Sequence, residues 1–129
     1  MVKGVESIII IDDDRDLSTL LERRLEGVGY HAKAFCNSAE AVKWIRETPP
    51  DLIISDVKMP GLNGFDVCDL VRNNLKTQHI PIIMITGIDE ARQQLDHLDA
   101  RGIYCLSKPV DPDDLSKVVR LALDSTCEA

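Results

Sequence analysis

Ser7-Ile8-Ile9-Ile10-Ile11-Asp12-Asp13-Asp14 is the stretch on which the fold turns. Consecutive isoleucines are β-branched and stiff at χ1, which favours an extended chain. They lack the alternation of a strand with one wet face, so this strand is read as buried on both faces. The aspartates stop it. Two later stretches repeat the pattern: Leu52-Ile53-Ile54-Ser55, ended by Asp56, and Ile82-Ile83-Met84-Ile85, ended by Thr86-Gly87. Strands of this kind belong to a parallel sheet covered by helices.

The segments between them supply the helices. Leu17, Leu20, Leu21, Leu25 and Val28 recur at helical spacing, and Gly27 and Gly29 mark the stop. His31–Phe35 reads as a short strand. Asn37 or Ser38 can cap a helix through Ala41, Val42 and Ile45 to about Glu47, ended by Pro49-Pro50. After the turn-forming Met59-Pro60-Gly61-Leu62-Asn63-Gly64, the residues Phe65, Cys68, Val71 and Leu75 give a third helix one apolar stripe. Ile88, Ala91, Leu95 and Leu98 give a fourth. Tyr104–Ser107 is a fifth strand before Lys108-Pro109. Leu115, Val118, Val119 and Ala122 give a fifth helix, capped by Asp111 with Pro112 in its first turn. Five strand–helix units without a linker make an α/β, doubly wound, five-stranded parallel sheet, because crossovers between parallel strands are right-handed.

Composition bounds the function. The chain has 129 residues, enough for one domain, with a core expected over about residues 7–123. Its formal net charge of −7 argues against direct contact with nucleic acid or an anionic membrane by this domain. No apolar run reaches a membrane span or a secretory signal. Cys36, Cys68, Cys105 and Cys127 have neither zinc nor CxxC spacing, and are read as reduced thiols of a cytoplasmic protein. His31, His79 and His97 are read as surface or filler residues, and Trp44 as packing.

Ligands of open parallel sheets bind outside the carboxyl ends of the strands. Those ends deliver Asp12 and Asp13, Asp56, Thr86 and Lys108. Clustered carboxylates repel, and a divalent cation with oxygen preference, magnesium, resolves the conflict. With the lysine it forms a clamp for a phosphoryl group, beside which a carboxylate can act as nucleophile. Taken singly, each residue has a plainer reading: helix cap, turn residue, strand-end hydroxyl, solvated lysine. Asp14 and Asp16 are assigned to capping and the first helical turn.

These motifs, in this order, closely resemble the receiver domains of bacterial two-component response regulators. They are Ile8 to Asp14, Asp51-Leu52-Ile53-Ile54-Ser55-Asp56-Val57-Lys58-Met59-Pro60-Gly61-Leu62-Asn63-Gly64, Pro81 to Gly87, and Leu106-Ser107-Lys108-Pro109. The resemblance spans about Ser7 to Leu123. It implies a single receiver domain over residues 1–129, a (βα)5 sheet of the flavodoxin-like, CheY-like kind, and the strand order 2-1-3-4-5. It implies that Asp56 accepts a phosphoryl group from a sensor histidine kinase or phosphotransfer protein. Asp13, Asp56 and the backbone carbonyl of Lys58 would bind Mg2+, and Asp12 would hold it through water. Thr86 and Lys108 would bind the phosphoryl oxygens, and the Lys108–Pro109 bond would be cis. Gly87 fits the family's small residue after the threonine. Lys58 occupies a position that tunes phosphoryl lifetime in this family, or is simply a surface lysine. Phosphorylation would draw in Thr86 and rearrange the face made by the fourth helix, fifth strand and fifth helix. That face would signal to an output domain or partner protein, or form a homodimer. Phosphotransfer and autodephosphorylation would be the only chemistry, with no enzymatic turnover.

One position departs from the family. The aromatic switch residue expected three residues before the lysine is Cys105, with Tyr104 adjacent. Either the strand is shifted, after a turn at Arg101-Gly102-Ile103 one residue short, and Tyr104 serves, or aromatic coupling is absent. The second reading is favoured. Two other functions compete. A degenerate receiver would act as a phosphorylation-independent interaction module, although the pocket positions are intact. A phosphatase of the haloacid dehalogenase type would also use Asp, Thr and Lys. However, Asp16 stands where that family carries Thr or Val, and turnover of a small phosphate ester would reveal it.

Overall fold

In the computed structural model, residues 5–87 and 102–126 are described, and they form a five-stranded parallel sheet. The strands are β1 (Ser7–Ile11), β2 (His31–Phe35), β3 (Leu52–Asp56), β4 (Ile82–Thr86) and β5 (Ile103–Ser107). Their order is β2-β1-β3-β4-β5. Helices α1 (Arg15–Gly27), α2 (Ser38–Glu47), α3 (Gly64–Arg72) and a C-terminal helix (Pro112–Thr126) cover it. This is the doubly wound, CheY-like arrangement, with the order 2-1-3-4-5. The helix expected over Ile88 to Leu98 lies outside the described residues.

Period-two alternation divides the core in two. Ile9, Ile11, Ile53, Ile82 and Met84 pack with Ala41, Val42 and Ile45 of α2 and with Val67, Cys68 and Val71 of α3. Ile8, Ile10, Leu52, Ile54, Ile83 and Ile85 pack on the other face with Leu21 and Leu25 of α1 and with Leu115, Val119, Ala122 and Leu123 of the C-terminal helix. Because each face is sealed by two described helices, the central strands need no polar side. That is why their sequences run apolar without a break. Complete burial of one such aliphatic side chain contributes about 1.5–3 kcal/mol.

Local chemistry sets the boundaries. Asp14 caps α1, accepting a hydrogen bond from the Leu17 amide. Asn37, not Ser38, caps α2. Asn63 and Asp66 form a reciprocal capping box at the start of α3. Asp111 accepts from the amides of Asp113 and Asp114 at the head of the C-terminal helix. Glu22 of α1 accepts the Ala34 amide of the edge strand β2 at 2.8 Å. The Arg72 guanidinium donates to the carbonyls of Ile80 and Gly102, tying the end of α3 to the starts of β4 and β5.

Two sequence boundaries are corrected. Leu75 does not extend the stripe of α3: the helix ends at Arg72, and Leu75 is 84% exposed. The Thr77 hydroxyl takes the Val71 carbonyl at 2.8 Å, closing the last turn and folding the chain back before Leu75 can pack. β5 starts at Ile103, one residue early, after Gly102 in the left-handed region at φ 76°. His31 and His79 are exposed, as expected, while His97 and Cys127 lie outside the described residues. Trp44 sits 6.0 Å from the Phe35 ring, with the Lys33 ammonium 3.8 Å over its own. Cys36, Cys68 and Cys105 are free thiols.

This partition yields a contrast measurable by urea unfolding. Ile54→Ala should cost about 2–5 kcal/mol, since it empties a fully buried site between sheet and helices. Leu75→Ala should change stability by less than about 0.5 kcal/mol; a comparable loss from both would contradict the boundary of α3.

Candidate functional site

The parallel register brings the ends of β1, β3, β4 and β5 to one rim. Ile11 pairs with Ser55, Asp56 with Ile85, and Thr86 with Ser107. The residues that follow or close these strands therefore converge: Asp12 and Asp13 after β1, Asp56 ending β3, Thr86 ending β4, and Lys108 after β5. Asp12, Asp13 and Asp56 each offer a carboxylate oxygen within 4.8 Å of the others. The Lys108 ammonium lies 3.0 Å from Asp56 Oδ2 and 3.9 Å from Asp12 Oδ2. The Lys108 amide donates to the Thr86 carbonyl at 2.9 Å, and the Lys108–Pro109 bond is cis. Lys58 is exposed beside this rim.

Burial makes the cluster electrostatically costly. Asp12 is 1% exposed and Asp56 5%, whereas Asp13 is open to solvent. One oxygen of Asp12 accepts the Asp14 amide at 2.9 Å; the other, Oδ2, is buried without a hydrogen-bond partner. Burial raises the Asp12 carboxyl from 3.8 to about 6; the Asp14 amide opposes the rise, the Asp56 charge adds to it, and Lys108 again opposes it. For Lys108 burial works downward, yet the hydrogen bond to Asp56 and the charges of Asp12, Asp56 and Asp13 prevail and hold the ammonium above its ordinary range.

Such a set suits a small, hard, divalent cation. Its donors are all carboxylate oxygens, one of them without a hydrogen-bond partner, and among the described residues one ammonium leaves their three negative charges incompletely balanced. The same arrangement can hold the oxygens of a phosphoryl group between lysine and metal.

Two contacts bear on this rim that the sequence did not foreshadow. The Ser55 hydroxyl donates to the Asp56 carbonyl at 3.0 Å. Gly64, the first residue of α3, donates its amide to the Val57 carbonyl at 2.9 Å. A hydroxyl between the aliphatic run Leu52–Ile54 and Asp56, in a wholly buried strand, is the only sequence signal of the first; the second has none beyond the glycine itself.

Alternation also places the two switch candidates. Cys105 pairs with Met84 and packs on the face of α2 and α3, the face that Thr86 shares by strand parity. Tyr104 pairs with Ile83 and packs on the opposite face. The strand is not shifted to bring Tyr104 beside Thr86.

The family model described as response regulator receiver domain matches residues 8–120. The chain is 31% identical over 119 residues to the DNA-binding dual master transcriptional regulator RpaA of Synechocystis sp., covering 92% of this chain and 49% of that one. It is similar in structure to a CheY-like response regulator receiver domain protein from Methanospirillum hungatei, with a TM-score of 0.87 and 25% identity over 97% of this chain and 98% of that one. It is also similar to the signal receiver domain of a histidine kinase from Syntrophus aciditrophicus, with a TM-score of 0.84 and 30% identity over 94% and 92% of the two chains. The chain spans about half the length of the first curated relatives it matches.

The raised Asp12 carboxyl has a sign that can be checked. Between pH 3.8 and about 6 the folded chain binds more protons at Asp12 than the unfolded chain does, so stability falls as pH rises through that window. Without divalent cations, Asp12→Asn should therefore match wild type near pH 4 and exceed it by about 1–3 kcal/mol at pH 7.5 in urea unfolding. A difference that does not vary with pH would contradict this.

Proposed function

This chain belongs to the response regulator receiver domain family, and on that premise we propose that Asp56 is its phosphoacceptor. Phosphoacceptor signalling in two-component systems is the function of the family; the residue roles are our reading. The observation that carries it is the Asp56 carboxylate at the sheet's carboxyl rim, 3.0 Å from the Lys108 ammonium and clustered with Asp12 and Asp13.

An Asp56 oxygen attacks phosphorus, and the new O–P bond forms as the P–N bond of a phosphohistidine breaks. The electron pair stays with the departing imidazole, which takes up a proton from water. Lys108 pairs with the phosphoryl oxygens as charge builds on them, and Thr86 adds a hydroxyl donor. Asp13, Asp56 and the Lys58 carbonyl would hold Mg2+, with Asp12 acting through water. The ion would supply charge neutralisation and orientation for the transferring group. The orphaned Asp12 Oδ2 and the all-oxygen donor set support this choice of cation.

The donor is a sensor histidine kinase or a phosphotransfer protein. The added phosphoryl group carries about −1.5 to −2 charge and draws Thr86 toward it. With Tyr104 on the opposite face, that movement is passed on without an aromatic partner at residue 105. The output is a linked domain or a separate protein that prefers the rearranged surface, and a homodimer through it is one form this takes. The phosphoryl group is taken up once per chain, so the domain signals and does not turn over substrate. We place it in the cytoplasm; the exposed free Cys36 and the absence, among the described residues, of a helix able to cross a membrane fit this reading.

Incubation with acetyl phosphate and Mg2+, followed by intact-mass measurement, should show one added phosphoryl group per chain. Asp56→Asn should abolish it, and chelation of the metal should slow it by at least about tenfold. Labelling that survives Asp56→Asn would refute the assignment, and turnover of a small phosphate ester would favour a phosphatase.

A further inference from the structure

We propose that Ser55 and Gly64 are positioning residues that clamp the peptide between Asp56 and Val57 and thereby aim the Asp56 carboxylate. The proposal rests on the reading of Asp56 as the acceptor and adds what holds it in place.

Two hydrogen bonds fix the Asp56–Val57 peptide, and a third fixes the peptide that follows it. The Ser55 hydroxyl donates to the Asp56 carbonyl at 3.0 Å. The Val57 amide donates to the Ile85 carbonyl of β4 at 3.0 Å, and the Val57 carbonyl accepts the Gly64 amide at 2.9 Å. Ser55 is wholly buried, and its partner strand residues in the register are Ile11 and Met84. A hydroxyl there gains nothing from apolar packing, and an unpaired one would cost free energy. Among the described residues, the hydroxyl is satisfied by the carbonyl of the next residue.

Gly64 acts by what it lacks. A Cβ on it would stand 2.6 Å from the Asp56 carbonyl oxygen, 2.9 Å from Val57 Cα and 2.7 Å from Met84 Cε. The methionine tip can swing away, but the two backbone atoms belong to the acceptor's own peptide. Gly64 is not in the left-handed region, so its backbone conformation would accept any residue. The restriction is one of space: the first turn of α3 sits directly on the end of β3. A side chain there must push α3 outward or shift the Asp56 backbone. Displacement of a reacting group by a few tenths of an ångström to 1 Å can cost up to about 10²-fold in rate.

The test follows the rate of labelling by acetyl phosphate on the full chain, at saturating Mg2+, in samples shown to be folded by circular dichroism. Ser55→Ala should lower the maximal rate about threefold, and Gly64→Ala at least about tenfold, both with the half-saturating acetyl phosphate concentration unchanged. A residue that only supports packing would lower the melting temperature and leave the maximal rate of the folded protein alone; that outcome in both variants overturns the proposal. If Gly64→Ala does not fold, Ser55→Ala decides: a wild-type maximal rate overturns the clamp. Wild type that takes no label would overturn the assignment of Asp56 itself, whereas labelled wild type with unaltered variants would overturn the positioning role alone.

Discussion

Carboxylates crowded at the end of an aliphatic sheet are the constraint to which the rest of this structure answers. The sheet interior is almost wholly aliphatic among the described residues, and Asp12 and Asp56 are nearly as buried as the isoleucines before them. Ionised carboxylates in such a place are unfavourable unless matched by positive charge. Among the described residues one cation, Lys108, comes from the far strand β5, and the parallel register is what delivers it across β4 to Asp56. The negative charge that remains is of the kind a divalent cation neutralises.

The division of the core into two faces shapes how a change at this rim can travel. Thr86 and Cys105 share one face with α2 and α3, while Tyr104 lies with α1 and the C-terminal helix. A small thiol therefore stands on the face of β5 that Thr86 shares by strand parity, and the tyrosine ring lies on the other. The backbones of the two strands are joined past their ends, because the Thr86 carbonyl accepts the Lys108 amide.

Much of this was legible in the sequence, for identifiable reasons. Unbroken runs such as Ile8–Ile11 can be satisfied only by a sheet covered on both faces, and the rim residues follow from where those runs stop. Asp14 and Asp111 announce helix starts because capping is local chemistry. What escaped depends on atoms distant in sequence or on local competition. Leu75 has the right spacing for α3, but the Thr77 hydroxyl ends the turn first. Tyr104 and Cys105 are neighbours whose roles separate only once the register with β4 is known. The closeness of Gly64 to the Asp56 backbone has no sequence signal beyond the glycine itself, since an absent side chain looks the same in a turn as in a tight contact.

The bond from Glu22 to Ala34 has a consequence beyond local stability. β2 is an edge strand, and an open edge invites pairing with another chain. Glu22 occupies the Ala34 amide, and Lys33 sits exposed on the same strand. The edge is thus plugged by a side chain from α1 and flanked by a charge, so the sheet is guarded against growing from molecule to molecule.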